Sequence, residues 1–139
     1  PADRAAEDGV TYVSKQQLFE QADVLSVHLV LSDRSRGLVD AQALAWMKPT
    51  ALLVNTARGP IVDETALIKA LQKQRLAGAA LDVFEHEPLS EHHPFRTLDN
   101  VLATPHVGYV SEQNYHQFFS QMIEGIQAWA AGQPVRVLG

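Results

Sequence analysis

Three side chains that could bind a carboxylate or move a proton each follow a short apolar run. They are Arg58, Glu87 and His106, and the runs cover residues 51–54, 79–83 and 101–103. A guanidinium offers a planar fork that matches a carboxylate or a polarised carbonyl. Histidine titrates near neutral pH and suits proton donation to a developing alkoxide. If the runs are neighbouring parallel strands, the three side chains meet at one edge, where open α/β sheets bind ligands.

Taken one at a time, these residues also have ordinary structural interpretations. Arg58 could form a salt bridge, His106 could be a structural histidine, and Glu87 could be a solvated loop acid. Beside His106, however, Glu87 would favour the imidazolium form and keep its proton available. Asp82 differs because a carboxylate within an apolar run is costly to bury without partners. Asp82 could cap a nearby turn or bind a polar group of a ligand. For Arg58, Glu87 and His106, the joint placement favours a functional site.

The hydrophobic pattern alternates between strand-like and helix-like stretches along most of the chain. Strands are predicted over residues 10–13, 23–31, 51–56, 79–84 and 101–104. Helices are predicted over residues 14–22, 40–47, 64–76 and 111–131. This alternation predicts an α/β fold: a partial doubly wound, Rossmann-like and mostly parallel sheet with flanking helices.

Local signals sharpen several of these predictions. Ser14 with Gln17 reads as a capping box, and Gly78 as the residue that ends the helix 64–76. The nearly continuous apolar run 23–31 predicts a strand buried on both faces. The last helix carries a wide apolar stripe, which predicts packing in a core. Its members are Tyr115, Phe118, Phe119, Met122, Ile123, Ile126 and Trp129.

Composition narrows the class of protein. The 139 residues carry a net charge of −5 and no run of basic residues, which argues against a nucleic-acid partner. No apolar stretch approaches the roughly 20 residues that cross a bilayer, so no membrane partner is expected. The absence of cysteine excludes disulfides and thiolate metal sites. The first residues show no signal-peptide pattern, so a cytoplasmic location is expected. The segment 85–93 holds three histidines and three glutamates, but their spacing fits no helical two-histidine motif, so no metal site is predicted.

Three segments resemble the D-isomer-specific 2-hydroxyacid dehydrogenases. They are 55–64 (NTARGPIVDE), 80–88 (ALDVFEHEP) and 104–108 (TPHVG). The resemblance implies hydride transfer between NAD or NADP and a small 2-oxo acid, giving a D-2-hydroxy acid. Arg58 would then hold and polarise the substrate, His106 would be the acid/base, and Glu87 would hydrogen-bond His106.

The same resemblance implies a cofactor cleft built from the ends of the strands. Asp82 would contact the carboxamide side of the nicotinamide. The full set of cofactor-binding residues would be Leu29, Val30, Thr56, Ala57, Arg58, Asp82, His106, Val107 and Gly108.

The chain also departs from the family. It contains no Gly-x-Gly-x-x-Gly loop, and the amino-terminal substrate domain is absent. We therefore expect residues 1–110 to be a partial dinucleotide-binding domain of a longer protein. Residues 111–139 would be a helix and tail that return toward the missing substrate domain. The 139-residue chain alone would be inactive. Val30 stands where the family usually has proline, and Tyr109 stands where small residues are common. The resemblance therefore does not identify which 2-oxo acid is the substrate.

Two further expectations follow from the resemblance. The family forms homodimers, and the region Asp23–Met47 is a candidate interface. The alternative to an enzyme is a non-catalytic NAD-sensing scaffold, like the corepressors that share this fold. The three candidate catalytic residues do not separate the two, because such scaffolds can keep all of them.

Overall fold

A computed structural model describes residues 2–137, with side chains from Arg4 onward. The chain divides into two compact units, residues 1–106 and 107–139. The first unit holds a four-stranded parallel sheet, ordered as in the chain. Its strands are β1 (Val24–Val27), β2 (Leu52–Asn55), β3 (Gly78–Leu81) and β4 (Val101–Ala103). All four therefore end at the same edge, which confirms the predicted parallel α/β architecture.

The α-helices lie before, between and after the strands along the chain. They are α1 (Ala2–Glu7), α2 (Lys15–Gln21), α3 (Ala41–Trp46), α4 (Glu64–Gln72) and, in the second unit, α5 (Glu112–Ala130). The predicted capping box is confirmed, because Ser14 and Gln17 each accept a hydrogen bond from the other's backbone N–H. Asp40 and Asp63 accept from the third residue of α3 and α4, which satisfies backbone donors that the helices leave unpaired. The core of this unit includes the fully buried Leu53, Ile61, Leu67, Leu71 and Leu76.

Two predicted strands differ from the structure. Residues 10–13 form no strand, and they pair with no other strand in the described part of the chain. A strand requires a hydrogen-bonded neighbour for its backbone groups, so the apolar pattern alone does not produce one. The predicted strand 23–31 is limited to Val24–Val27 and is buried on one face only. Val24 is 59 % exposed whereas Leu25 is 6 % exposed, so the side chains alternate between solvent and core.

The role predicted for Gly78 is wrong. Helix α4 ends at Gln72, and Gly78 is the first residue of β3. A Cβ atom at Gly78 would lie 2.7 Å from the carbonyl oxygen of Asn100. Glycine is therefore required there by the close approach of the chain before β4, and not by the end of the helix.

The last helix begins and ends as predicted, with Ser111 as N-cap and Gly132 in the left-handed region at φ +73°. Its predicted core packing is wrong. No residue of α5 is buried, and the seven stripe side chains are between 44 % and 74 % exposed. The second unit consists of this one helix with its flanking segments, and a single helix has no second layer against which to bury its stripe. Over residues 2–137, none of the helices is both long and apolar enough to cross a membrane.

Candidate active site

The carboxyl edge of the sheet brings Glu87 and His106 together. Nδ1 of His106 donates to Oε2 of Glu87 at 2.6 Å, and the backbone N–H of Phe84 donates to Oε1 at 2.9 Å. Both carboxylate oxygens therefore accept a hydrogen bond, as an ionised glutamate requires. Because Nδ1 carries the proton in this bond, Nε2 is the ring atom that can take up and release a second proton.

The electrostatics of the site keep Glu87 ionised. Partial burial raises the pKa of Glu87. This effect of burial is outweighed by the hydrogen bonds from His106 and Phe84 and by the positive charges of His106 and Arg58. The pKa of Glu87 therefore lies below its ordinary value of 4.5. The charge of Arg58 contributes to this lowering, so the other two predicted catalytic residues both act on the carboxylate of Glu87.

Ionisation of Glu87 is expected to stabilise the folded protein in mild acid. Because its folded pKa is lowered from 4.5, this contribution is fully present above pH 4.5 and is lost as pH falls through the lower folded pKa. A carboxyl ¹³C titration should place the midpoint of Glu87 below 4.5. In His106→Ala the midpoint should rise, since the largest stabilising partner is removed while burial remains. An unchanged midpoint in that variant would contradict the role assigned to the His106 bond.

His106 has an unusual backbone conformation. Its φ is +56°, in the left-handed region, and its N–H donates to the carbonyl oxygen of Thr104 at 3.0 Å. Residues other than glycine adopt this region at a cost, and such strain is concentrated at functional sites. The side chain is 38 % exposed, so a ligand can reach it. The strained turn aims the ring at Glu87.

Asn55 holds the loop that carries Arg58. Its side chain is 1 % exposed; Nδ2 donates to the carbonyl oxygen of Arg58 at 3.0 Å, and Oδ1 accepts from the N–H of Ala57 at 3.0 Å. The guanidinium of Arg58 in turn donates to the carbonyl oxygen of Ala57 at 2.6 Å. A Cβ atom at Gly59 would overlap the backbone carbonyl of Phe84. The Arg58 loop therefore lies directly against the loop that leads to Glu87.

Asp82 is buried, as its sequence position suggested, and it has a partner. It is 6 % exposed, and Oγ1 of Thr104 donates to its Oδ1 at 2.6 Å. This bond joins the end of β3 to the end of β4 and offsets the cost of burying a carboxylate. The cofactor contact of Asp82 stays a prediction.

The other predicted cofactor residues lie where the strands end. Leu29 and Val30 follow β1 and are 48 % and 86 % exposed, so both side chains are open to a ligand. After β2, Thr56 is exposed and Ala57 is half-buried. Val107 and Gly108 belong to the second unit, so their part in the cleft stays a prediction.

The resemblance implied the bond between Glu87 and His106, which is present, but sequence reasoning missed the partners of the Arg58 loop and of Asp82. Asn55, Gly59 and Thr104 lie inside the matched motifs, but nothing in their spacing reveals what each one contacts. The histidine-rich segment 85–93 also serves two separate pairs: Glu87 binds His106, and Nε2 of His93 lies 3.1 Å from Oε1 of Glu64. Among residues 2–137, no three His, Asp or Glu side chains are arranged to hold a metal ion.

Comparisons with known proteins find one family model that matches most of the chain. Residues 1–108 match the family model described as "D-isomer specific 2-hydroxyacid dehydrogenase, NAD binding domain". The chain is 42 % identical over 125 residues to a glyoxylate reductase of Aeropyrum pernix, covering 90 % of this chain and 37 % of that protein. The chain thus spans well under half the length of this relative.

Solved structures are similar as well. A putative D-3-phosphoglycerate dehydrogenase from Ralstonia solanacearum is 42 % identical with a TM-score of 0.90, covering 97 % of this chain and 40 % of that one. A D-isomer specific 2-hydroxyacid dehydrogenase from Xanthobacter autotrophicus Py2, solved with NADPH and MES, is 40 % identical with a TM-score of 0.70. That match covers 87 % of this chain and 49 % of the other.

Proposed function

This chain belongs to the D-isomer-specific 2-hydroxyacid dehydrogenase family, and from that membership we propose the activity of the whole protein. It transfers a hydride between NAD(P)H and a small 2-oxo acid, giving the D-2-hydroxy acid. The observation that carries the proposal is the 2.6 Å bond from His106 to Glu87, on a loop against which the Arg58 loop packs at Gly59. The relatives named above are reductases and dehydrogenases, which favours an enzyme over a non-catalytic scaffold.

Each of the three residues has a role that its contacts support. Glu87 holds Nδ1 of His106, which directs Nε2 to deliver a proton to the substrate's carbonyl oxygen during reduction. Arg58, whose loop is fixed by Asn55, presents a guanidinium fork to the substrate carboxylate. A bound 2-oxo acid would thus meet one cation for its carboxylate and one proton donor for its carbonyl.

The edge of the sheet also fits a nicotinamide dinucleotide. Leu29 and Val30 expose apolar surface beside the strand ends, which a flat ring and a ribose would cover. The buried carboxylate of Asp82 offers an acceptor within the same edge. The cofactor, NAD or NADP, supplies the hydride, and the protein supplies orientation and charge.

The test is oxidation of NADH and NADPH by the full-length protein with a panel of small 2-oxo acids. We expect turnover with at least one acid, and the hydroxy product should be the D isomer. Protein that binds the cofactor but oxidises it with none of the acids would contradict the proposal. The identity of the best acid would show which substrate the protein prefers.

We further propose the assembly of the whole protein. Residues 1–110 form part of its cofactor domain, and the exposed apolar stripe of α5 supports a role for residues 111–139 in contacting the substrate domain. Pairing into a homodimer, with Asp23–Met47 near the interface, and a cytoplasmic location remain predictions from the family resemblance and from composition.

A further inference from the structure

A second carboxylate–histidine pair, Glu64 with His93, lies next to the loop that carries Glu87. We propose that this is a positioning pair, which sets the path of the loop so that Glu87 meets Nδ1 of His106. The proposal rests on the proposed function and assigns that reaction two residues that act through Glu87. Neither of them need touch the substrate or the cofactor.

Both oxygens of Glu64 are engaged. This residue begins α4, and Nε2 of His93 lies 3.1 Å from its Oε1. The backbone N–H of Glu85 donates to its Oε2 at 3.2 Å. The side chains of Glu64 and His93 are only 23 % and 16 % exposed, so the bond between them is largely shielded from solvent. One carboxylate therefore ties the start of α4 to both ends of the segment 85–93.

The hydrogen bonds define which nitrogen of His93 carries the proton. Nδ1 of His93 accepts from the backbone N–H of Phe95 at 3.3 Å, so it carries no proton in this arrangement. Nε2 must then be the donor to Glu64. The ring also packs against the ring of Phe95, with centroids 4.9 Å apart. His93 is therefore held by a donor contact, an acceptor contact and an aromatic contact.

Besides the bond from Phe84 to Glu87 itself, the side chains of Arg36 and Arg96 also contact this loop. The ion pair of Arg36 with Glu85 is 3.6 Å long and largely exposed, and such pairs contribute little. Arg96 holds a later part of the loop through the carbonyl oxygens of Leu89 and Ser90. The N–H of Glu85, two residues before Glu87, is held by Glu64. Loss of that bond should let the backbone at Glu85 move and weaken the alignment of Glu87 with His106.

The first test is Glu64→Gln in the full-length protein. Two donors face this carboxylate, and an amide offers only one acceptor oxygen, so one of the two bonds must be lost. We expect kcat to fall at least about tenfold, because a displacement of about 1 Å in a catalytic group can cost about 10²-fold in rate, while KM for the cofactor is unchanged. His92→Gln, a change at the exposed neighbouring histidine, is the matched control and should leave kcat unchanged.

A rescue variant separates the specific pair from a general loss of stability. In Glu64→Gln/His93→Gln, the amide at position 64 can accept from the N–H of Glu85 and donate to the amide oxygen at position 93. We expect this double variant to recover most of the lost kcat. A double variant no faster than Glu64→Gln would overturn the proposed pairing.

A double-mutant cycle tests whether Glu64 acts through Glu87. If it does, Glu64→Gln should cause little further loss of kcat in a Glu87→Gln background. Full additivity of the two losses would overturn the proposal, because a merely structural role would give that result.

A spectroscopic measurement keeps the inference independent of activity. In protein labelled with ¹⁵N-histidine, the Nδ1 proton of His106 should give a hydrogen-bonded resonance that Glu64→Gln shifts or broadens. Suppose that the native protein gives this resonance and that Glu64→Gln shifts it, but that the native protein is inactive on every 2-oxo acid. This result would reject the proposed function and retain the positioning role. Active protein in which Glu64→Gln changes neither the resonance nor kcat would reject the positioning role alone.

Discussion

His106→Ala in the full-length protein is expected to lower kcat by about 10²–10⁴-fold, the usual contribution of a positioned general acid. Nε2 of His106 is the atom placed to deliver the proton, because Glu87 already holds Nδ1. Alanine removes the donor and leaves Arg58 with its loop contacts, so binding of the 2-oxo acid should be affected far less than kcat. The measurement is steady-state oxidation of NAD(P)H with the best 2-oxo acid.

The matched control for this experiment is His92→Ala. His92 is exposed and lies in the same loop as Glu87, so its removal deletes a histidine without touching the site. It should leave kcat and KM unchanged. A His106→Ala protein with nearly native kcat would remove this residue from the role of proton donor.

Gly59→Ala is expected to have the largest effect on stability. The added Cβ would overlap the carbonyl group of Phe84 and lie 2.6 Å from the backbone nitrogen of Glu85. These are backbone atoms, which cannot rotate away as the end of a side chain can. We therefore expect a loss of about 3 kcal/mol or more in the free energy of unfolding, the upper end for overpacking. Measurement is by urea unfolding of the full-length protein.

The same change should also affect catalysis. The clash would push the Arg58 loop away from the Glu87 loop and so move Arg58 relative to His106. A shift of about 1 Å can cost about 10²-fold in rate. Gly37→Ala is the control, because its φ of +63° strains alanine while nothing lies within 4 Å of the added Cβ. It should cost about 1–2 kcal/mol and spare activity. Equal losses in the two variants would show that the clash at Gly59 is not the cause.

Much of the fold follows from patterns in the sequence. The capping box of Ser14 with Gln17 depends on two residues only three positions apart, so it can be predicted from the sequence alone. The exposure of Val24 depends on which elements cover it. Whether residues 10–13 form a strand depends on whether another strand pairs with them. Gly78 shows the same limit, since the atom that requires glycine belongs to Asn100, which is distant in the chain.

By itself, the sequence determined the alternation of strands and helices, their parallel order, and the family through three motifs. It also determined that Arg58, Glu87 and His106 follow strands, because apolar periodicity and caps are local properties of the chain. Only the tertiary structure decided which atoms meet: Nδ1 of His106 with Glu87, Thr104 with Asp82, and Glu64 with His93. These contacts join residues 19 to 29 positions apart, and their distances depend on how neighbouring strands and loops pack, which no local pattern encodes.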